Sequence, residues 1–234
     1  MKKRAFTLAE VLITLGIIGV IAALVMPGLI VKYQKQATAV KLKKAINVYS
    51  QAFQLSQVEN GPPSEWKLTT FNNNTIYDFA NQYIFQYMKT AQTCRSNGGT
   101  TGGVTSLQPC GWDLTKIRYR GGAYATVWYG YKMAAILPDG AAFVCMTSVY
   151  HNGEFDCYLD INGKAGPNIP GKDVFFMPHF SYVVTGNNNL EYVGQGLDRN
   201  TLMNDSASGC NGGNNYCTML IVNDGWQIKD DYPW

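Results

Sequence analysis

Histidine is almost missing from this chain: His151 and His179 are the whole supply. Neither stands at a spacing from a cysteine, serine or carboxylate that nucleophilic or general acid–base chemistry would use. The cysteines never fall as C-x-x-C, which excludes the usual zinc and dithiol spacings. The glycine-rich stretch 97–103 lacks the strand before and helix after that a phosphate loop needs. Charged residues make up only 15%, and a net charge of +3 is too small to imply a nucleic-acid partner by itself. No acidic residue occurs between Glu10 and Glu59, and no Gly or Pro between positions 32 and 57. These absences point away from an enzyme and toward a long uninterrupted helix.

What is present begins at the N-terminus. Met1-Lys2-Lys3-Arg4-Ala5 and Phe6-Thr7-Leu8-Ala9-Glu10 precede an apolar run over 11–31. As a helix those twenty-one residues rise about 32 Å, enough to cross a hydrocarbon core of roughly 30 Å. A secretory signal peptide carries an apolar region of only about 7–15 residues. Glu10 does not suit a plain anchor, because a carboxylate at the bilayer centre costs about 2.5–3.5 kcal/mol and needs a partner or a proton. A cut between Ala5 and Phe6 supplies one: the new α-ammonium would lie one helical turn from Glu10.

The basic leader, small residue, Phe-Thr-Leu-Ala-Glu and spanning run resemble the prepilin leader of type IV pilins and type II secretion pseudopilins. The resemblance implies a membrane aspartyl peptidase that cuts before Phe6 and methylates the new amine. It implies that Glu10 registers subunits joining the fibre. Ala5 stands where that family usually has Gly. The partners implied are identical or related pilin subunits, the prepilin peptidase, the inner-membrane assembly machinery and, before assembly, membrane lipid. Lys32, Lys35, Lys41, Lys43 and Lys44 follow the span, so charge alone does not orient it. The leader and six cysteines place the N-terminus inside the cytoplasmic membrane and the C-terminal domain outside. Pro27 predicts a kink, and the resemblance makes an unwound stretch at 19–27 plausible in a fibre.

The expected organisation is a leader over 1–5, an assembly helix over 6–31, its amphipathic continuation over 32–60 and an exported domain over 61–234. Leu42, Ala45, Ile46, Tyr49, Ala52 and Phe53 recur at three- and four-residue intervals, a stripe that needs a surface to cover it. Asn60-Gly61-Pro62-Pro63 ends the helix. A second helix is read over 76–88, capped by Asn74 or Thr75. Strands are read over 123–137, 141–150, 155–161 and 174–184, with turns at Pro138-Asp139-Gly140 and Asn152-Gly153. Residues 185–216 read as surface loops. Residues 217–222 form a short buried element, and the aromatic C-terminus docks on the domain. The fold class is therefore α+β, a long N-terminal helix packed on an antiparallel meander, and the pilin resemblance implies the same.

Six cysteines allow fifteen pairings. Local closure favours Cys94 with Cys110 and Cys210 with Cys217, leaving Cys145 with Cys157. A two-residue turn at Asn152-Gly153 sets Cys145 opposite Asp160 and Cys157 opposite Ser148, so that pair needs a bulge or a wider loop. Asp160, Asn162, Asn168 and Asp173 form an oxygen-bearing loop. It is read first as a hydrogen-bonded turn and second as a structural calcium site; no other cofactor is expected. Major pseudopilins carry a calcium-holding loop in their sheet region, which supports the second reading by resemblance. Against it, the spacing is not that of an EF-hand and no Glu closes the loop.

Two function classes compete with the fibre subunit. Lys116, Arg118 and Arg120 beside Tyr119 and Tyr124 mix basic and aromatic groups as single-strand binders do, but so few charges suit a solvated strand edge better. A minor pilin with a DNA-uptake or adhesion role is thus an alternative, with DNA the less favoured partner. A signal peptide cut after Ala39, releasing a soluble domain, is the other.

Overall fold

A computed structural model describes residues 7–68, 70, 72–95, 110, 131–147, 154–181, 189–212 and 215–234. The chain divides into two compact units, Met1–Ala37 and Thr38–Trp234. Helix α1 (Leu8–Asn60) supplies the described part of the first unit. There its apolar side chains point outward, Leu24 being 78% exposed. The helix is long and apolar enough to cross a membrane. Pro27 lies inside it, and residues 19–27 are helical rather than unwound. The proline removes one donor, while the Leu, Ile, Val and Ala around it favour helix.

In the second unit the remainder of α1 becomes amphipathic. Leu42, Ala45, Ile46, Tyr49, Ala52 and Phe53 are buried, the same set whose spacing implies a covered stripe, and Thr38, Ala39 and Ser56 extend it. Gly61 stops the helix in a left-handed conformation at φ 75°. Trp66 then folds back, its Nε1 donating to the Gly61 carbonyl at 2.9 Å. Helix α2 (Asn73–Tyr83) is capped by Asn72, and Thr75 completes a capping box. The expected cap at Asn74 or Thr75 is thus two or three residues late. Ile84 leaves helical geometry, so the reading to residue 88 ends in a separate 3₁₀ turn, Phe85–Tyr87.

The sheet is antiparallel throughout, in sequence order. It comprises β1 (Gln92–Arg95), β2 (Tyr131–Ile136), β3 (Ala142–Thr147), β4 (Glu154–Asp160) and β5 (Val174–Phe176), with β6 (Phe180–Ser181) also beside β4. Leu137-Pro138-Asp139-Gly140 makes the β2–β3 turn, Gly140 donating to the Leu137 carbonyl at 2.9 Å. One face, with Met133, Ala135, Phe143, Cys145, Phe155, Cys157 and Leu159, shares a core with the α1 stripe. The other face carries a smaller cluster around Cys94, Cys110, Val144 and Tyr158.

Four sequence expectations change. Cys145 lies opposite Cys157, and Thr147 opposite Phe155, a register that differs from the one a two-residue turn at Asn152-Gly153 sets. Those turn residues lie outside the described set. Strand β1 contains Cys94, in a stretch for which the sequence reading gives no strand. The strand read over 174–184 is split: Phe176 pairs with Tyr158 but Phe180 with Phe155, so one extra residue is inserted around Pro178. Finally, the polar stretch expected to be loops contains α3 (Arg199–Asn204), capped by Asp198 with Leu202 buried. Helix α4 (Cys217–Asn223) resolves the ambiguous element.

Candidate functional site

Ala5 and Phe6 lie outside the described residues, but Glu10 does not. Its Oε2 accepts from Thr7 N at 2.8 Å and Thr7 Oγ1 at 2.9 Å. Glu10 N donates in return to Thr7 Oγ1 at 3.3 Å. This reciprocal capping box satisfies donors at the start of α1 and gives the carboxylate a partner within its own chain. Sequence reasoning missed Thr7, although Thr7-Leu8-Ala9-Glu10 before an apolar run is the pattern that announces it. Beyond the box, Leu12, Ile13, Leu15, Ile17 and Ile18 are each more than half exposed, a surface suited to lipid or to other helices.

The loop after β4 does bring Asp160, Asn162, Asn168 and Asp173 together. Asp160 is fully buried, and its Oδ1 accepts from Asn162 N at 3.1 Å and Gly163 N at 2.9 Å. Gly163 has φ 61°, and a Cβ there would stand 2.1 Å from the Gly140 carbonyl oxygen, so only glycine lets the two turns meet. Asp173 Oδ2 accepts from Asn162 Nδ2 at 3.1 Å and Asn168 N at 2.9 Å, while Oδ1 accepts from Ile169 N. Burial pushes the Asp173 carboxyl above its ordinary range, against the downward pull of those three donors. Asn162 Oδ1 and Asn168 Oδ1 are buried without a hydrogen-bond partner among the described residues. An all-oxygen donor set of this kind suits a hard cation or a water. Against a strong metal site, no group of three or more His, Cys, Asp or Glu among the described residues could hold an ion.

The C-terminus closes over this loop, with Tyr232 donating its hydroxyl proton to the Gly171 carbonyl at 2.5 Å. Arg199 binds two carboxylates of the tail, Asp224 through Nε at 2.8 Å and Asp231 through a terminal nitrogen at 2.7 Å. Lys229 adds a second contact to Asp224 at 2.7 Å. Disulfides join Cys94 to Cys110, Cys145 to Cys157 and Cys210 to Cys217. The second lies between sheet and helix, with Tyr49 Oη 3.8 Å from Cys157 Sγ.

His179 is tied into the fold through its backbone, which exchanges two hydrogen bonds with Glu191 at 2.9 Å each. His151 and the basic–aromatic group of Lys116, Arg118, Tyr119, Arg120 and Tyr124 lie outside the described residues.

Against known families, residues 1–26 match the Prokaryotic N-terminal methylation motif, and residues 28–104 and 130–234 match a Family of unknown function (DUF6613). No curated protein and no solved structure matches the chain. The N-terminal match supports a prepilin-type motif, that of a pilin- or pseudopilin-like precursor. The chain belongs to the Family of unknown function (DUF6613) and carries that motif at its head.

Proposed function

We propose that this chain is a structural subunit of a type IV pilus or type II secretion filament. It would be cut before Phe6, held in the cytoplasmic membrane by residues 6–31, and assembled through α1 with its domain outside the cytoplasm. Prepilin peptidase, identical or related subunits and the inner-membrane assembly machinery are the partners this requires. The observation that carries the reading is the prepilin-type motif joined directly to an outward-facing apolar helix. The Thr7–Glu10 box adds a physical step. Within a single chain Glu10 has a partner, so assembly exchanges that contact for the ammonium of a neighbouring Phe6.

Mass spectrometry of membrane-extracted protein should find a mature chain starting at Phe6, with a methylated amine. A start at Met1 or Val40 would refute the processing step. Glu10→Ala should insert into the membrane and assemble poorly, and normal fibre yield from that variant would remove the registering role.

For the loop over 160–173 the hydrogen-bonded turn is the first reading, because both carboxylates already accept N–H donors. A weak calcium site is the second, favoured by the two partnerless buried amide oxygens. Asp160, Asn162, Asn168 and Asp173 would hold the ion, with carbonyl oxygens or water filling the six to eight positions calcium takes.

A further inference from the structure

We propose that the domain binds a neutral carbohydrate in a polar depression beside α2 and β1. The inference does not rest on the filament reading, because every lining residue belongs to the domain. Helix α2 buries Ile76, Phe79, Ala80 and Tyr83. Asp78, Asn81 and Gln82 therefore fall together on its other side, three and four residues apart. Gln86 in the 3₁₀ turn that follows, Thr90 in the link and Thr93 on β1 complete the polar lining. The depression is open to solvent and measures about 480 Å³, within the roughly 300–1,000 Å³ that small-molecule sites take.

The lining chemistry selects the ligand class. Three amides, two hydroxyls and one carboxylate offer donors and acceptors side by side, and no lysine or arginine lines the site. A phosphate or another anion needs a cationic partner, and Asp78 repels it. Phe85 is the one apolar side chain in the lining and is 1% exposed. That is too little for a hydrophobic ligand, or for the alternate side chains of an extended peptide. Neighbouring sugar hydroxyls each donate and accept, which matches amide and carboxylate groups spaced along a helix face. Half of the polar lining is also held in place. Asn81 Nδ2 donates to the Tyr77 carbonyl at 3.0 Å, which leaves its Oδ1 as an acceptor. Gln86 Nε2 donates to the Gln82 carbonyl, and Thr93 Oγ1 shares a hydrogen bond with Tyr77 Oη at 2.8 Å. The side chains of Asp78, Gln82 and Thr90 have no hydrogen-bond partner among the described residues, so they meet the ligand unspent. Fixing three groups beforehand lowers the ordering cost of binding.

The test uses the full-length chain in a detergent without a sugar headgroup, applied to a printed array of neutral and acidic glycans. Neutral glycans should be retained, and raising the salt concentration should not release them, because no ion pair is involved. Titration calorimetry with the best-retained neutral glycan then compares variants at exposed positions, where substitution leaves the fold standing. Asp78→Asn and Gln82→Ala should each weaken binding by about tenfold, the loss expected for one hydrogen bond to a charged or amide group. Both should keep the wild-type melting midpoint, and Gln51→Ala, on α1 outside the depression, should bind as wild type. An array that retains no neutral glycan would overturn the proposal. So would retention of acidic glycans alone, or neutral binding that survives both variants. Capture of unglycosylated peptides from a peptide array, lost in the same two variants, would overturn the sugar assignment and give the depression to a polypeptide. Fibre yield is not read in any arm, so failure here leaves the filament reading standing and failure of that reading leaves this one.

Discussion

Replacing Arg199 with Ala tests whether the tail is held by its charge network. Arg199 grips Asp224 with two nitrogens, Nε at 2.8 Å and the second at 2.9 Å. The Asp224 side chain is only 2% exposed, while those of Arg199 and Lys229 are 32% and 47% exposed. Breaking a fully buried pair costs about 3–5 kcal/mol, because it leaves a desolvated charge without a partner. Here Lys229 stays at 2.7 Å and the arginine is partly solvated, so about 2 kcal/mol is the reasoned loss. The exposed Asp231 is left out of that figure. In a chain of this size such a loss lowers the melting midpoint by about 4–8 °C. Burial pushes Asp224 up, but Arg199 and Lys229 outweigh it and hold the carboxyl below its ordinary value. A lowered carboxyl stabilises the fold above its unfolded pKa and loses that contribution as pH falls through the lowered value. Circular dichroism melts of the full-length protein in detergent should therefore separate wild type and Arg199→Ala at pH 7 and draw them together as pH falls below the ordinary carboxyl value. Equal midpoints at pH 7, or an unchanged gap in acid, would refute the reasoning.

Calcium at millimolar concentration should raise the midpoint if the loop over 160–173 takes the ion, and Asp160→Ala should abolish the rise; equal midpoints with calcium and with chelator would leave only the hydrogen-bonded turn. Phe53→Ala should cost about 3–5 kcal/mol, since the ring is 2% exposed between Trp66 at 5.7 Å and Phe180 at 5.0 Å. A loss below about 1 kcal/mol in a denaturant titration would mean that the α1 stripe is not the core of the domain.

The N-terminal site was largely legible because its signals are local. The basic leader, the apolar run and the overlooked Thr7-Leu8-Ala9-Glu10 pattern all fall within the first thirty-one residues of the chain. The loop over 160–173 was legible as a gathering of oxygen-bearing residues, but not in its wiring. Which N–H meets which carboxylate depends on how the chain closes back on Asp173, and the loop is closed by Tyr232, which reaches the Gly171 carbonyl from 61 residues further on. Arg199 was invisible as a site residue because its partners come from two other segments of the tail.

The sequence by itself determined the spanning helix, the buried stripe from Leu42 to Phe53, the end of α1 at Gly61 and the Pro138-Asp139-Gly140 turn. In each, the residues that decide the outcome are near neighbours in the chain. Only the tertiary structure decided the register of β3 on β4. A turn dipeptide suggested one alignment, but Phe143 and Cys145 share a face, as do Phe155, Cys157 and Leu159. Packing both sets against α1 sets the cysteines opposite each other, because a slip of one residue would turn those side chains away from the core. The same holds for β1 and α3, which are too short to stand alone. One exists because Ala134 and Ala135 pair with it, and the other because Leu202 is buried in the shared core.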